Sequence, residues 1–539
     1  MTMSSLSELP VLDWNTLSRF LHYLTVWRLL LLVGAILIIR TLGFYIYNAY
    51  FHPLAKYPGP RLASVSDTWT AYHMSAGRWP WVLEAALERY GDIVRIGPNS
   101  LAFLEPQAFI DTHGPKRDLK DTFVKTPMAD GIGDGDDGLL WERDPEQHRR
   151  VSKVMSHAFS GNSLRTKVPT IHKHVDLAIS QLRELAVGGK EGVDLTEWIN
   201  WIIMDTAADL AFNWEMHQVR DMRSHDFLDA LEAAKFTSVI LANAKTYPII
   251  LPLAPVFVPW RVMRSVPRMI RELRIRITQR IETPTDRLAH SDYFEQLLLA
   301  RPAEDNMKPD HRPLVPTTRT RKEIGHMLTV AGQLILGGYD PTSVTMCYLF
   351  FFLLQNPEAF VVLKDEIRTA FSTYDEIEAD KLAGLPWLNA CLQESMRLCA
   401  PATHHAVPRI SPGALVNGVY VPKGTICRSS LFAYSRSARF FHDAKSFRPE
   451  RWLAPTHARY DGSFAQDDHS GHFPFIIGPR QCPGREVAKI TCRIVAAKLL
   501  WTFDLEQTSP MEDFDSDMRA YGLWAKPEMR ARLVPVERT

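Results

Sequence analysis

Cysteine is scarce in this chain of 539 residues: six are present, Cys347, Cys391, Cys399, Cys427, Cys482 and Cys492, all in the C-terminal half and without a CxxC pair. That pattern excludes the disulfide framework of a small secreted domain and favours a reducing compartment. An excess of one charge is missing too. Lys plus Arg number 62 against 61 for Asp plus Glu, a net charge of +1, so nothing marks a surface for a nucleic-acid backbone. The strings GxxxxGK[ST], HExxH and GxSxG do not occur, which argues against a phosphate-loop NTPase, a zincin and an α/β-hydrolase. What is present is ordinary globular composition, 46% hydrophobic and 23% charged, which excludes a disordered or collagen-like chain.

One long apolar run stands out. Leu29 to Tyr47 reads LLLLVGAILIIRTLGFYIY with Arg40 as its only charge, and at about 1.5 Å per residue it nearly spans a hydrocarbon core of about 30 Å. It starts too far into the chain for a secretory signal and lacks a small-residue cleavage site, so it reads as a membrane anchor. His52, Lys56 and Arg61 follow before the first acid, Asp67, which places the remainder on the cytosolic side. The division is a lumenal segment over 1–28, a transmembrane anchor over 29–47, a hinge over 48–62 stiffened by Pro53, Pro58 and Pro60, and one body over 63–539.

Beyond the hinge, apolar periodicity predicts helices at Trp81 to Tyr90, Val168 to Leu185, Leu195 to Phe212, Val266 to Ile281, Lys322 to Leu354, Pro357 to Phe371 and Pro386 to Leu398. Strand-like runs are few: Ile93 to Ile96, Leu101 to Phe103 and Leu415 to Val421. The polar, proline-containing stretch from Arg301 to Thr320 reads as a surface loop. The fold expected is mainly α with a small β region.

The sharpest local pattern is FIIGPRQCPG, Phe475 to Gly484, which satisfies F-x-x-G-x-R-x-C-x-G at every fixed position. Average residue usage would produce it by chance in roughly one chain of this size in several thousand. The string resembles the haem-binding loop of the cytochrome P450 superfamily, the haem-thiolate monooxygenases. The resemblance implies haem b (iron protoporphyrin IX) as cofactor, with Cys482 as the thiolate axial ligand of its iron, a ligand that favours O–O cleavage. Loop amides and the N-terminus of the following helix would keep that thiolate ionised. Gly478 would serve a tight turn, Gly484 the approach of the macrocycle, Phe475 the shielding of the sulfur, and Arg480 a haem propionate.

Other motifs follow in the family's order. Glu394 and Arg397 form ExxR, and Arg451 lies in FRPERW; the resemblance makes the three a buried charge network with a structural role. DPEQHRRVSKVMSHAFS, Asp144 to Ser160, resembles the helix whose basic residues hold the propionates. His148 matches there, but Ser152 stands where an arginine is expected, with Arg149 or Lys153 as its substitute. Arg409, in VPR, is expected to approach a propionate as well. His404 and His405 are not expected to bind metal, because the axial position is taken by the thiolate.

The departure lies in LILGGYDPTS, set against the family pattern [AG]-G-x-[DE]-T-[TS]. Gly337, Gly338 and Asp340 agree, Pro341 occupies the alcohol position, and Thr342 follows. In the family the acid and the alcohol relay protons during dioxygen activation; proline has no hydroxyl. Pro341 predicts a kink and a Gly337 carbonyl without its helical donor. Thr342 is rotated about 100° from position 341. With Asp340 and Thr342 as the candidate catalytic residues, three routes stay open: Asp340 with ordered water, help from substrate hydroxyls, or a rearrangement of the isomerase or dehydratase kind without dioxygen activation.

Over the whole chain the sequence looks most like fungal microsomal members of secondary metabolism. That likeness implies a cytochrome P450 fold behind a single transmembrane helix in the endoplasmic reticulum membrane. It also implies a small hydrophobic substrate in a pocket near Phe103, Phe236 and Ala402. Electrons would come from NADPH through a separate NADPH–cytochrome P450 reductase docking near Lys153, Arg485 and Lys489, with cytochrome b5 as a second donor. No nucleic-acid partner is expected.

Overall fold

A helix that is apolar on every side has to be buried, and two such helices make the centre of the molecule. In the computed structural model, which describes residues 14–127, 138–188, 192–246, 254–299, 321–401 and 407–537, every residue from Thr342 to Leu353 is buried. These belong to the helix Arg321–Gln355. Alongside runs Leu195–Phe212, started by Asp194, whose carboxylate accepts the amide of Thr196 at 2.8 Å, and ended by Asn213 in the left-handed region at φ 54°. Gly338 permits their close approach, since a Cβ there would stand 3.2 Å from Ala207 Cβ. Pro386–Leu398 and Arg485–Thr502 close the same core.

The β part is small. Its largest sheet has the order Ile93–Gly97, Ser100–Phe103, Ile426–Ser429, Arg409–Ile410, Val124–Lys125, with Ser100–Phe103 parallel to Ile426–Ser429 and the other pairs antiparallel. Val193–Asp194, Arg530–Pro535 and Phe503–Gln507 form a second sheet. Leu415 to Val421, expected as one strand, is a hairpin of Ala414–Val416 and Val419–Val421. Asn417 and Gly418 turn it at φ 48° and 73°, the two left-handed positions that a type I′ turn requires.

Leu195–Phe212 and Pro386–Leu398 begin and end where periodicity predicts. The helix expected from Val266 starts at Trp260 and holds Pro267 inside it, because Val262, Val266, Met269, Leu273 and Ile277 give it one continuous apolar face against the protein. Asp226–Thr246 is a helix that periodicity did not predict.

The N-terminal helix is longer than the expected anchor. It runs Trp14–Ile46, continues as a wider turn over Tyr47–Phe51, and its apolar stretch covers Thr25–Phe51 with mean hydropathy 2.3; only its end, at Asn48, is buried against the protein. The first residues of the expected hinge are therefore helical, since nothing breaks the helix before Pro53. Residues 1–13, the loop Arg301 to Thr320, and Ala402, His404 and His405 lie outside the described residues.

Candidate active site

The loop Phe475 to Gly484 folds back on itself. The amide of Cys482 donates to the carbonyl of Phe475 at 2.9 Å, and Gly478–Arg480 makes one tight helical turn. Gly478 has φ +72°, and a Cβ on it would lie 2.3 Å from the carbonyl oxygen of His113; no other residue fits there. Ile476 sits at φ 58°, a strained place for a β-branched side chain and a mark of a loop held in one shape by its surroundings. A Cβ on Gly484 would meet nothing of the protein closer than Val487 Cγ1 at 3.7 Å, so its smallness serves something other than the chain's own packing.

Cys482 differs from the other five cysteines. Those are buried, and burial pushes their thiols up, Cys347 to about 11 and Cys427 and Cys492 to about 12, which makes them inert. Cys482 has an exposed side. Burial around its sulfur raises the thiol, opposed by the amide of Gly484 and the charge of Arg485. Gly484 begins the helix Arg485–Thr502, so the positive end of that helix faces the sulfur. A cation bonded to sulfur would complete the ionisation.

Beside this loop four basic groups converge. Arg480 donates to the carbonyls of Glu142 at 2.5 Å and Arg143 at 3.3 Å. Arg409 is buried with its Nε unpartnered, and burial followed by the charge of Arg480 pulls it down to about 9. His148 is buried and pulled to about 3 by burial, then by Arg480, Lys125 and Arg409. Lys125 is buried in its strand and donates to the carbonyl of Leu140. Arg409, buried beside the like charge of Arg480 and with an unpartnered donor, calls for an anion. The two carboxylates of a haem fit, and His113 Nε2 and Thr126 Oγ1 are further unpartnered polar atoms nearby in the fold. Arg149 and Lys153, expected to stand in for the arginine missing at Ser152, are both exposed. They sit a helical step away from the buried face that His148 occupies, whereas Lys125 is buried in register with Arg409 and its charge reaches His148.

The ExxR network is intact. Arg397 is bidentate on Glu394 at 2.8 and 2.7 Å, and Arg451 Nε donates to Glu394 at 3.0 Å. Trp452 Nε1 and the amide of Arg448 add donors at 2.9 and 2.8 Å. Burial would raise Glu394, yet Arg397 and Arg451 hold it below its ordinary value. Arg451 also pairs with Asp467, which no motif announced. The spare donors of Arg397 go to the carbonyls of Ala444 at 2.6 Å and Ser446 at 3.0 Å. These bonds tie the ExxR helix to the segment that leads into the cysteine loop.

The two expected relay residues lie on the helix Arg321–Gln355. The helix is continuous through Pro341, and Thr345 Oγ1 returns a bond to the Pro341 carbonyl at 2.8 Å. Asp340 and Thr342 are both buried, but positions two apart lie about 200° apart around an ideal helix, so they do not form one relay face. Asp340 is ion-paired to Lys235 at 2.8 Å and faces Lys526 at 3.7 Å. Glu232 accepts from both lysines at 2.8 Å and from Tyr339 at 2.7 Å. Burial opposes its charge, but the lysines hold Glu232 down at about 2. Two acids and two lysines thus balance beneath the surface. None of Glu232, Lys235, Tyr339 or Lys526 was legible as a site residue, because a lysine in an apolar stretch carries no motif.

Phe103 does not line a pocket: it is core in its strand, packed with Leu54, Leu101, Val416 and Val421, since both faces of that strand are covered. Phe236 is partly buried against Tyr521, ring centroids 5.4 Å apart, one residue from Lys235. Of the three cations expected to meet a reductase, Arg485 and Lys489 already pair with Glu486 at 2.8 and 3.5 Å.

Comparison with known proteins agrees with this geometry. The family model described as Cytochrome P450 matches residues 80–530. The chain is 43% identical over 491 residues to the cytochrome P450 monooxygenase TwmD of Talaromyces wortmannii, covering 91% of this chain and 93% of the relative. It is 33% identical to the cytochrome P450 monooxygenase btcC of Colletotrichum orbiculare over 91% of both chains. An averantin hydroxylase of Dothistroma septosporum is 29% identical over 93% of this chain and 90% of its own.

Proposed function

The chain belongs to the cytochrome P450 family, and from that premise we propose that it inserts one oxygen atom from O2 into a small hydrophobic substrate, as a step of fungal secondary metabolism. It is an oxidoreductase of the monooxygenase type. In this reading NADPH supplies electrons through a separate reductase, with cytochrome b5 as a second donor. The protein sits in the endoplasmic reticulum membrane with residues 63–539 on the cytosolic face. The exposed apolar stretch Thr25–Phe51 supports the anchor.

The observation that carries the reading is Arg409, buried with its Nε unpartnered and lowered by that burial and then by the charge of Arg480, in a cluster with Lys125 and His148 beside the one cysteine with an exposed side. Haem would be held there by Cys482, by the cations Arg480, Arg409 and Lys125, and by the neutral imidazole of His148, and when bound it supplies the redox chemistry that activates dioxygen. The chain's own part is to keep the sulfur ionised through the Gly484 amide and the following helix start, to neutralise two carboxylates, and to hold the loop rigid. Asp340 stays charge-balanced by Lys235. A proton passing through it must be replaced from water, because Pro341 offers no hydroxyl.

Pro341 and the ion-paired Asp340 also support a second reading, an isomerase or dehydratase on the same fold. Turnover with and without NADPH separates the two, and turnover without it would favour the second. The haem reading is tested by the carbon monoxide complex of the reduced protein. The wild-type chain should show the red-shifted Soret maximum that thiolate ligation imposes, and Cys482→Ala should lose it. The same spectrum in both proteins would remove the reading.

A further inference from the structure

Three buried polar atoms without a hydrogen-bond partner come from three separate elements. They are His113 Nε2 at the end of the helix Pro106–His113, Arg409 Nε in the strand Arg409–Ile410, and Thr126 Oγ1 just past the strand Val124–Lys125. Strand pairing brings them together. Lys125 stands opposite Arg409, and the amide of Thr126 donates to the carbonyl of Pro408 at 3.0 Å. Arg409 and Lys125 are the charges that bear on His113. Arg480 stands behind them, and its charge reaches both Arg409 and His148. Asp111, the one acid of the His113 helix, is turned to other work: it accepts from Gln107 and from the amide of Asn417, both at 2.8 Å.

The hydrogen bonds decide where the proton sits on this ring. Thr112 Oγ1 has a single hydrogen and donates it to the carbonyl of Ala108 at 2.7 Å. Its oxygen therefore accepts from His113 Nδ1, 2.9 Å away, so Nδ1 carries a proton. Burial, and then the charge of Arg409, keeps a second proton off the ring in the chain by itself, which leaves a lone pair on Nε2. Stacking fixes the ring plane. Phe109 lies nearly parallel to it with centroids 4.0 Å apart, and Phe473, just before the cysteine loop, stacks on Phe109 at 5.3 Å. The His113 carbonyl also packs on Gly478, where a Cβ would come within 2.3 Å. The helix end and the cysteine loop are thus held to each other.

An anion changes what this ring can do. A carboxylate would accept from Arg409 Nε and Thr126 Oγ1 and offset the charge that keeps His113 neutral, and a proton on Nε2 would then be donated to it. Haem brings two carboxylates. We propose that His113 holds one of them through Nε2, and that Nε2 takes up one proton from water when the bound iron accepts one electron from its reductant. The proposal rests on the haem reading given above. The balance is one electron onto the metal and one proton onto Nε2, with no other bond made or broken. Added negative charge nearby favours the imidazolium.

The test is the reduction potential of the full-length haem-loaded chain, followed by dithionite titration from about pH 5 to about pH 8, the span in which histidines titrate. The wild-type potential should fall with rising pH by about 59 mV in all, a ten-fold change in a one-electron equilibrium. His113→Gln keeps a hydrogen-bond donor but cannot titrate, and its potential should stay level. Thr112→Val removes the acceptor of the Nδ1 proton and disfavours the imidazolium, so its fall should move to lower pH by about one unit. The carbon monoxide spectrum reports thiolate ligation in each protein independently. With the red-shifted Soret maximum present, a level wild-type potential would overturn the proposal and leave the haem reading standing. An unchanged fall in His113→Gln would assign the proton to His148 or to the carboxylates themselves and overturn it too. If His113→Gln fails to load haem, Thr112→Val decides, and a fall at the wild-type pH would overturn the proposal. Absence of the Soret maximum from the wild-type chain would instead remove the haem reading, and the proposal with it.

Discussion

Arg409 shows how a single buried side chain can report on a cofactor. Its guanidinium is enclosed, its Nε has no partner, and its neighbour in charge is another arginine, an arrangement that is costly unless an anion joins it. Arg409→Ala is therefore expected to lose more than half of its haem on gel filtration with the helical circular dichroism unchanged, whereas Arg149→Ala and Lys153→Ala retain theirs. Equal retention in all three would place the propionates elsewhere. Lys235 poses the opposite case, a charge whose partner is already present. Lys235→Met leaves two acids, Asp340 and Glu232, on the single lysine Lys526 and should cost about 3 kcal/mol, read as a lower urea midpoint. Adding Asp340→Asn leaves Glu232 and Lys526 as a balanced pair, so the double variant should regain most of the loss. A double variant as unstable as the single one would show that the cost is packing and not charge.

At the scale of an element, the relay helix carries the chain's main departure from its family. Proline at 341 removes one helical donor, and the helix still runs unbroken because it is clamped along its length by Leu195–Phe212 and the rest of the core. Pro341→Thr restores both a donor and a hydroxyl. Turnover per NADPH consumed is expected to stay equal or rise, because the acid at Asp340 is retained. A large loss of turnover with wild-type haem spectra would mean that the proline itself shapes the reaction. Much of this element was legible beforehand, since thirty-odd residues of apolar periodicity can only be a buried helix. The helix Asp226–Thr246, which reaches it through Lys235, was not, because charged and apolar residues are mixed around it and tertiary packing, not an apolar stripe, holds it in place.

For the whole molecule, buried histidines set the response to pH. His472 is pulled down to about 3 by burial and then by Arg397, against an ordinary value of about 6.5. Its folded value lies below its unfolded one. The stability it gives is thus complete above pH 6.5 and declines as pH falls from 6.5 toward 3, by up to about 1.4 kcal/mol per unit. His113 is lowered in the same direction by burial and then Arg409. His290 runs the other way: burial opposes its charge, but the bond to Asp209 at 2.8 Å raises it, so its contribution is full below pH 6.5 and lost at higher pH. The lowered group prevails in acid. The thermal midpoint should fall between pH 7 and pH 5, and His472→Gln should flatten part of that fall; an unchanged slope in the variant would exclude His472 as a contributor. Read from the sequence alone, the cysteine loop, the ExxR and PERW order, the mainly helical fold and the apolar N-terminal run were all settled, because each is a short string or a regular period whose physics is local. Only the folded chain decided that Lys125 lies buried beside Arg409 while Arg149 and Lys153 are exposed, and that Lys235 and Lys526 face Asp340. Lys526 and Glu232 meet across 294 residues of chain, and which charges face each other over such a span is chosen by how helices and strands pack and exclude water, which no local pattern encodes.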